Sequence, residues 1–323
     1  MSMDRKHFAD SRGPESSIGI GNLAPRTKET KLVEYGRPVG LARVVRTVWR
    51  NRSAVVGSLV LFSVLLAAIF APWIAPMDPT HIDLSKYLSP PVWQSGGTRE
   101  HLLGTDHLGR DVFSRMLYGA RVSMLVSFFT VIISGGLGVS LGMISGYFGG
   151  RIDDLIMGMA QIQQSFPFIA LAIAVVAVLG PGLENTILVL GVSGWVLFAR
   201  LVRGEVLTVR EEEYIEAART VGAGSLRIMF RHILPNISSP LIVMASFVFA
   251  LMIVVEASLS FIGLGVQPPD ASWGLMLSEA RNYLESAWWL PTFPGMAIVM
   301  TVLGANLLGD WLRDTLDPRL RDV

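Results

Sequence analysis

Apolar and polar positions along this chain fall into long blocks rather than fine stripes. Uncharged apolar runs occupy residues 54–75, the interval between Arg121 and Arg151, the interval between Asp154 and Glu184, and residues 185–199, 241–264 and 291–309. About 20 apolar residues in a helix cross the hydrocarbon core of a bilayer, so the blocks predict six transmembrane helices and an all-α, polytopic membrane protein. The fourth run is short, about 22 Å at 1.5 Å per residue. It spans if Arg200 and Arg203 snorkel and the helix continues inward.

A polar island, residues 210–240, separates the fourth and fifth runs. Good helix formers over 211–221 predict a short amphipathic helix with Tyr214, Ala218 and Val221 on one face. Gly222-Ala223-Gly224 supplies its stop. Ser225 is expected to cap a second helix over 226–234, closed by Pro235.

Composition supports the membrane reading: of 323 residues 51% are hydrophobic and only 16% charged, with mean hydropathy +0.49. Soluble domains carry about 25% charge. With no cysteines, disulfide scaffolds and cysteine-ligated metal sites are excluded. Residues 1–53 lack the apolar segment of a cleavable signal peptide. They read as a polar cytoplasmic tail, helical from Leu41 into the first span. The segments 1–53, 148–162, 200–240 and 310–323 hold 21 of the 27 lysines and arginines. That bias places both termini and the island in the cytoplasm. The expected division is a tail (1–53), a first helix with an extracytoplasmic loop (54–121), and a five-helix core (122–323). No internal repeat is visible, which gives no support to the inverted halves common in secondary transporters.

Several residues stand out chemically. Glu256 lies within the fifth apolar run, and a carboxylate at that depth faces a cavity or a partner by default. It is a candidate for the translocation path, with helix packing or gating an equal reading. A proton relay would need a second buried acid or histidine, and none is visible. Gln161 and Gln164, with Gln163, either face an aqueous path or hydrogen-bond between helices near the inner interface. Asp111 is expected to cap a helix bearing Val112, Phe113, Met116 and Leu117, with Arg110, Asp111 and Arg115 as a local ion set. Residues 274–294, with Tyr283, Trp288 and Trp289, read as an outer amphipathic helix with an aromatic belt. Nothing brings Asp106, His107 and Ser114 together as nucleophile and base. The four lysines follow no glycine-rich loop, and there is neither a Walker A run nor H-E-x-x-H, so the chain predicts no nucleotide site, no metal and no cofactor.

Three stretches carry a family resemblance. Glu216-Ala217-Ala218, three residues, Gly222, and then Leu234-Pro235 resemble the EAA loop of bacterial ABC importer permeases, with His232 where that pattern has its first isoleucine. GTDHLGRDVFSR, residues 104–115, resembles the signature of dipeptide/oligopeptide/nickel permeases in their C-type subunit. SLSFIGLGVQPPDASWGLML after Glu256 resembles that family's C-terminal signature. In residues 149–167, Asp154, Met157, Phe166 and Pro167 match the family, while Gly158 and Gln161 replace an arginine and an aspartate.

The resemblance implies a type I ABC importer permease fold in the bacterial inner membrane, moving peptides or a related small solute. The implied partners are a homologous B-type permease, two cytoplasmic ATPases, an extracytoplasmic binding protein and membrane lipid, with no nucleic acid. Tyr214, Ile215, Glu216, Ala217, Ala218, Gly222, Leu234 and Pro235 would then form the ATPase-coupling surface, Glu216 pairing with Arg219 or a partner arginine. A secondary transporter or channel without an ATPase is the alternative. An intramembrane enzyme would need a convergent catalytic group, and none is found.

Overall fold

The computed structural model describes residues 51–316, and within them the chain is helical without strands. The tail expected over 1–53, but for its last three residues, and the end of the chain after 316 lie outside the described residues. The helices are α1 (Arg52–Ile74), α2 (Val112–Phe148), α3 (Gly150–Gln164), α4 (Phe168–Leu179), α5 (Leu183–Ser193), α6 (Trp195–Val209), α7 (Glu213–Thr220), α8 (Ser225–Ile228), α9 (Leu234–Asn236), α10 (Ser238–Phe261), α11 (Trp273–Ala280) and α12 (Trp289–Leu316). A π turn, Met229–Ile233, joins α8 to α9.

Five helical stretches are long and apolar enough to cross a membrane: α1, α2, the continuous α5–α6 pair, α10 and α12. Counted as one span, the bent α3–α4 pair brings the number to six.

Two expectations change at the helix boundaries. Asp111 does cap a helix, its Oδ2 accepting from Ser114 N at 2.7 Å, but that helix is continuous with the second span. The result is 37 residues long and runs through the segment boundary expected at residue 121. The third span is broken instead of straight: α3 and α4 meet at 86°. Pro167 cannot donate an amide and bars the residue before it from the helical region. The short fourth run gains its length as expected, α5 and α6 passing through Gly194 to Val209.

Close packing holds α2 against α6. A Cβ on Gly138 would lie 2.4 Å from the Trp195 carbonyl oxygen, and one on Gly142 2.5 Å from that of Ala199. A Cβ on Gly146 would lie 2.8 Å from Val206 Cβ. Only residues without a Cβ fit along this seam. Beside it Val126, Leu190, Phe198, Val248, Met252 and Leu259 form the central apolar core.

The end opposite the hairpin is closed by the 76–111 segment and α11. Trp273 and Trp289 are buried there with Val112 and Met276, and their indole nitrogens donate to the Met116 and Thr105 carbonyls at 3.1 Å each. The single amphipathic helix expected over 274–294 is therefore replaced by α11, a 3₁₀ turn (Arg281–Tyr283) and the start of α12. Trp289 belongs to the core, because its polar edge finds a protein carbonyl instead of the headgroup region.

Candidate functional site

The hairpin between α6 and α10 is built from its glycine outward. Gly222 has φ 85°, a left-handed value that only glycine adopts cheaply. Its N–H donates to the Arg219 carbonyl at 2.9 Å, and Ala223 N–H donates to that of Ala218 at 3.0 Å. This crossed pair ends α7. Ser225 does not cap the following helix; it is the first helical residue, and the capping position falls on Gly224.

Pro235 does not end the helix either. A proline ring clashes with the carbonyl four residues back, and here the ladder widens first, Leu234 N–H reaching the Met229 carbonyl in the π turn. Asn236 Nδ2 takes the His232 carbonyl at 2.6 Å. The chain then continues almost directly into α10.

One face of this hairpin is rooted in the bundle. Ile215, Ile228, Met229, Ile233 and Ile237 are buried with Met143 of α2 and with Val202 and Val206 of α6. Ile215 is fully buried (0% exposed), which corrects its assignment to the docking face. It is the anchor of α7, and its neighbours make up the outward face. Tyr214, Glu216, Ala217, Gly222 and Pro235 are exposed, and Ala218 and Leu234 half-buried.

Val221 and Leu226, on either side of the turn, are 84% and 68% exposed. Glu216 and Arg219 form no ion pair; Arg219 instead lies over the Tyr147 ring, 5.4 Å from its centroid.

The other candidates separate. Glu256 is 0% exposed. Its carboxylate accepts from Ser123 Oγ of α2 at 2.9 Å and from Ser260 Oγ at 2.8 Å. Glu256 thus ties α10 to α2 through buried hydroxyl donors, the contacts that a helix-packing group makes. Gln161 and Gln164 are exposed near the α3–α4 bend. Gln161 lines a cavity of about 350 Å³ with Met157, Arg200 and Arg203.

Gln163, between them, bridges two helix breaks: its Nε2 donates to the Ser193 carbonyl at 2.6 Å, and its Oε1 accepts from Trp195 Nε1 at 2.8 Å. Nothing in the sequence distinguished it from its two neighbours. The Asp153–Arg203 pair, with both N–O distances at 2.5 Å, was also hidden, because Arg203 reads from sequence as a snorkelling residue.

At the opposite end Arg110 and Arg115 both bind Asp106 and Glu279, at 2.5–3.0 Å. Asp111 is not in this set; it accepts from the His101 ring at 3.0 Å. Burial would raise the Asp106 carboxyl, but the two guanidiniums and the Leu108 and Arg110 amides outweigh it and hold the group below its ordinary value. Ligand-type atoms of Asp106, His107 and Glu279 lie within 4.8 Å of one another. With both carboxylates already neutralised by arginines, the group is a poor fit for a cation.

Three comparisons bear on this geometry. Residues 138–322 match the family model of the binding-protein-dependent transport system inner membrane component. Residues 41–91 match the N-terminal transmembrane domain of oligopeptide transport permease C. The chain is 45% identical over 273 residues to the di/tripeptide transport system permease protein DppC of Pseudomonas aeruginosa, covering 84% of this chain and 90% of that protein. It is 48% identical over 272 residues to the dipeptide transport system permease protein DppC of Escherichia coli K12, covering 84% and 91%. Among solved structures, an inward-facing MetNI methionine ABC transporter shares the fold with TM-score 0.52 at 18% identity, over 63% of this chain and 96% of that one.

Proposed function

The chain belongs to the family of binding-protein-dependent transport system inner membrane components, and from that premise we propose that it is the C-type permease of an ATP-driven importer of di- or oligopeptides. The solute class rests on the names of its relatives, which are dipeptide and di/tripeptide permeases. Its partners are a homologous B-type permease, two ATPases and an extracytoplasmic binding protein. Both termini and the 210–237 hairpin are cytoplasmic, and the 76–111 segment with α11 faces outward. The first helix and that segment form an extension to a five-pass core.

The observation that carries the reading is the two-sided hairpin. Ile215, Ile228 and Ile233 fix it to α2 and α6, while Val221 and Leu226 stand exposed at its tip. An ATPase docked on the tip displaces α7, and the apolar root passes that displacement to the spans. The solute path then opens alternately to the two sides. The chain supplies no chemistry of its own to ATP hydrolysis; it supplies the docking surface and the moving wall.

The test is co-purification in mild detergent of wild type beside Gly222→Glu, with ATP hydrolysis and uptake of radiolabelled dialanine measured after reconstitution. Wild type brings down an ATPase and takes up dialanine, and the variant loses both coupling and uptake. A wild type that purifies folded and takes up dialanine without any ATPase would make the chain a secondary carrier and end the reading.

A further inference from the structure

Three arginines, Arg203 on α6, Arg210 at its C-terminal cap and Arg219 on α7, reach back to a single piece of chain, residues 145–153, where α2 turns into α3. Arg203 grips Asp153 with Nε on one carboxylate oxygen and Nη2 on the other, each at 2.5 Å, and Ser145 Oγ donates to the same carboxylate. Arg210 Nη1 donates to the Gly146 carbonyl at 2.8 Å, one of the last four carbonyls of α2, which a helix cannot satisfy within itself. Arg219, on α7, lies over the face of Tyr147 at 5.4 Å, where the ring quadrupole attracts a cation.

The turn they surround is the compliant point of the region. Gly149 and Gly150 both have left-handed backbones, φ 66° and 52°, and beta-carbons built there would meet only the Arg210 side chain or nothing. Left alone, two consecutive glycines would let α3 swing independently of α2. The arginines remove that freedom. Each has a bland reading by itself, as a helix-end cap or an interfacial cation. What sets them apart is that all three land on one elbow and that the last sits on α7.

We propose that Arg203, Arg210 and Arg219 are positioning residues that brace the Gly149–Gly150 elbow from both sides, Arg219 tying α7 to Tyr147 at the end of α2 and Arg203 tying α3 to α6 through Asp153, so that displacement of α7 is delivered to α3 and the bent α3–α4 pair instead of being absorbed in the turn. The proposal rests on the reading of α7 as the helix an ATPase moves. Asp153, Gly146 and Tyr147 are the receiving contacts. Downstream, α3 carries Gln161 and Gln163, and Gln163 ties the bend to the α5–α6 break at Ser193.

The chain has no cysteine, so one introduced thiol is unique. Gly158 of α3 is the site for it, since a Cβ there meets nothing within 4 Å. Gly158→Cys is placed in the full permease–ATPase complex, and its modification rate by a water-soluble maleimide is compared with and without ATP–vanadate trapping. Trapping is expected to change that rate. Adding Arg219→Ala or Tyr147→Ala should abolish the change while the ATPase still co-purifies and hydrolyses ATP. Arg219→Lys and Tyr147→Phe, which retain the cation and the ring, should restore it.

The proposal is overturned if Arg219→Ala and Tyr147→Ala leave the trapping response intact, or if trapping never alters the Gly158→Cys rate. A trapping response abolished equally by Arg219→Lys and Tyr147→Phe would also overturn it, because the contact chemistry would then be irrelevant. If no ATPase binds the parent chain, the reading beneath falls and takes this proposal with it. Normal ATPase binding with an intact response in the alanine variants sinks the clamp alone.

Discussion

Ile215→Ala separates anchoring from docking within the hairpin. Ile215 is enclosed by Val206 of α6, Ile228, Ile233 and Met143 of α2, residues on separate elements that cannot all move in to fill the space. Truncating a buried isoleucine in such a site costs about 2–5 kcal/mol. Taking about 3 kcal/mol, the population of hairpins detached from the bundle rises by about two powers of ten.

Amide hydrogen exchange in detergent reads that population directly through local opening. Peptides covering 213–237 should exchange about a hundredfold faster, while those from the first half of α2 remain unchanged. Val221→Ser is the control: Val221 is 84% exposed, so exchange stays as in wild type, and the loss appears in ATPase affinity instead. Unaltered exchange in Ile215→Ala would refute the assignment of Ile215 as anchor. Equal acceleration in Val221→Ser would refute the division of the hairpin into a rooted and a free face.

Other outcomes are equally definite. Gly222→Val meets no atom within 4 Å of its new Cβ but must hold φ near 85°, at a cost of about 1–2 kcal/mol. Protein levels should therefore persist while ATP-coupled uptake drops. Arg115 is 1% exposed, and Arg115→Met leaves buried carboxylates short of a partner at a cost of about 3–5 kcal/mol, measured as a loss of detergent-resistant folded protein. Asp106 titrates below its ordinary value. Its contribution is therefore complete above the unfolded value of about 3.9 and disappears only as pH falls through the lower folded value. Fluorescence from the neighbouring Trp289 should hold steady down to about pH 4 and change below it. Gly142→Leu, with 2.5 Å between its Cβ and the Ala199 carbonyl, should fail to accumulate as folded protein.

The spans were legible because burial in lipid demands apolar length, and length survives any arrangement of neighbours. The capping of α2 by Asp111 and the glycine turn at residue 222 were legible for a local reason: each depends on residues adjacent in sequence. What sequence could not show were events set by distant partners. Ile215 and Val221 are equally apolar, and which one turns inward depends on α2 and α6. The Pro235 stop was misread because a π turn relieved the clash before it arose. The break at Pro167 was hidden inside an uncharged run, where composition carries no angle. Glu256 was legible as an anomaly inside an apolar run, but its partner Ser123 comes from another helix, and no local pattern announces that meeting.

The backbone-to-backbone seam between α2 and α6 limits how the protein can move. With Gly138, Gly142 and Gly146 seated against the Trp195 and Ala199 carbonyls and Val206, sliding one helix along the other by a fraction of a turn drives carbonyl oxygens into α-carbons. The next register that fits is a full pitch away, about 5.4 Å. These two helices consequently travel as a single stiff plank. A widening of a passage through the membrane is cheaper where no such seam exists, as at the 86° corner between α3 and α4. A search for the mobile wall of this transporter should begin at that corner.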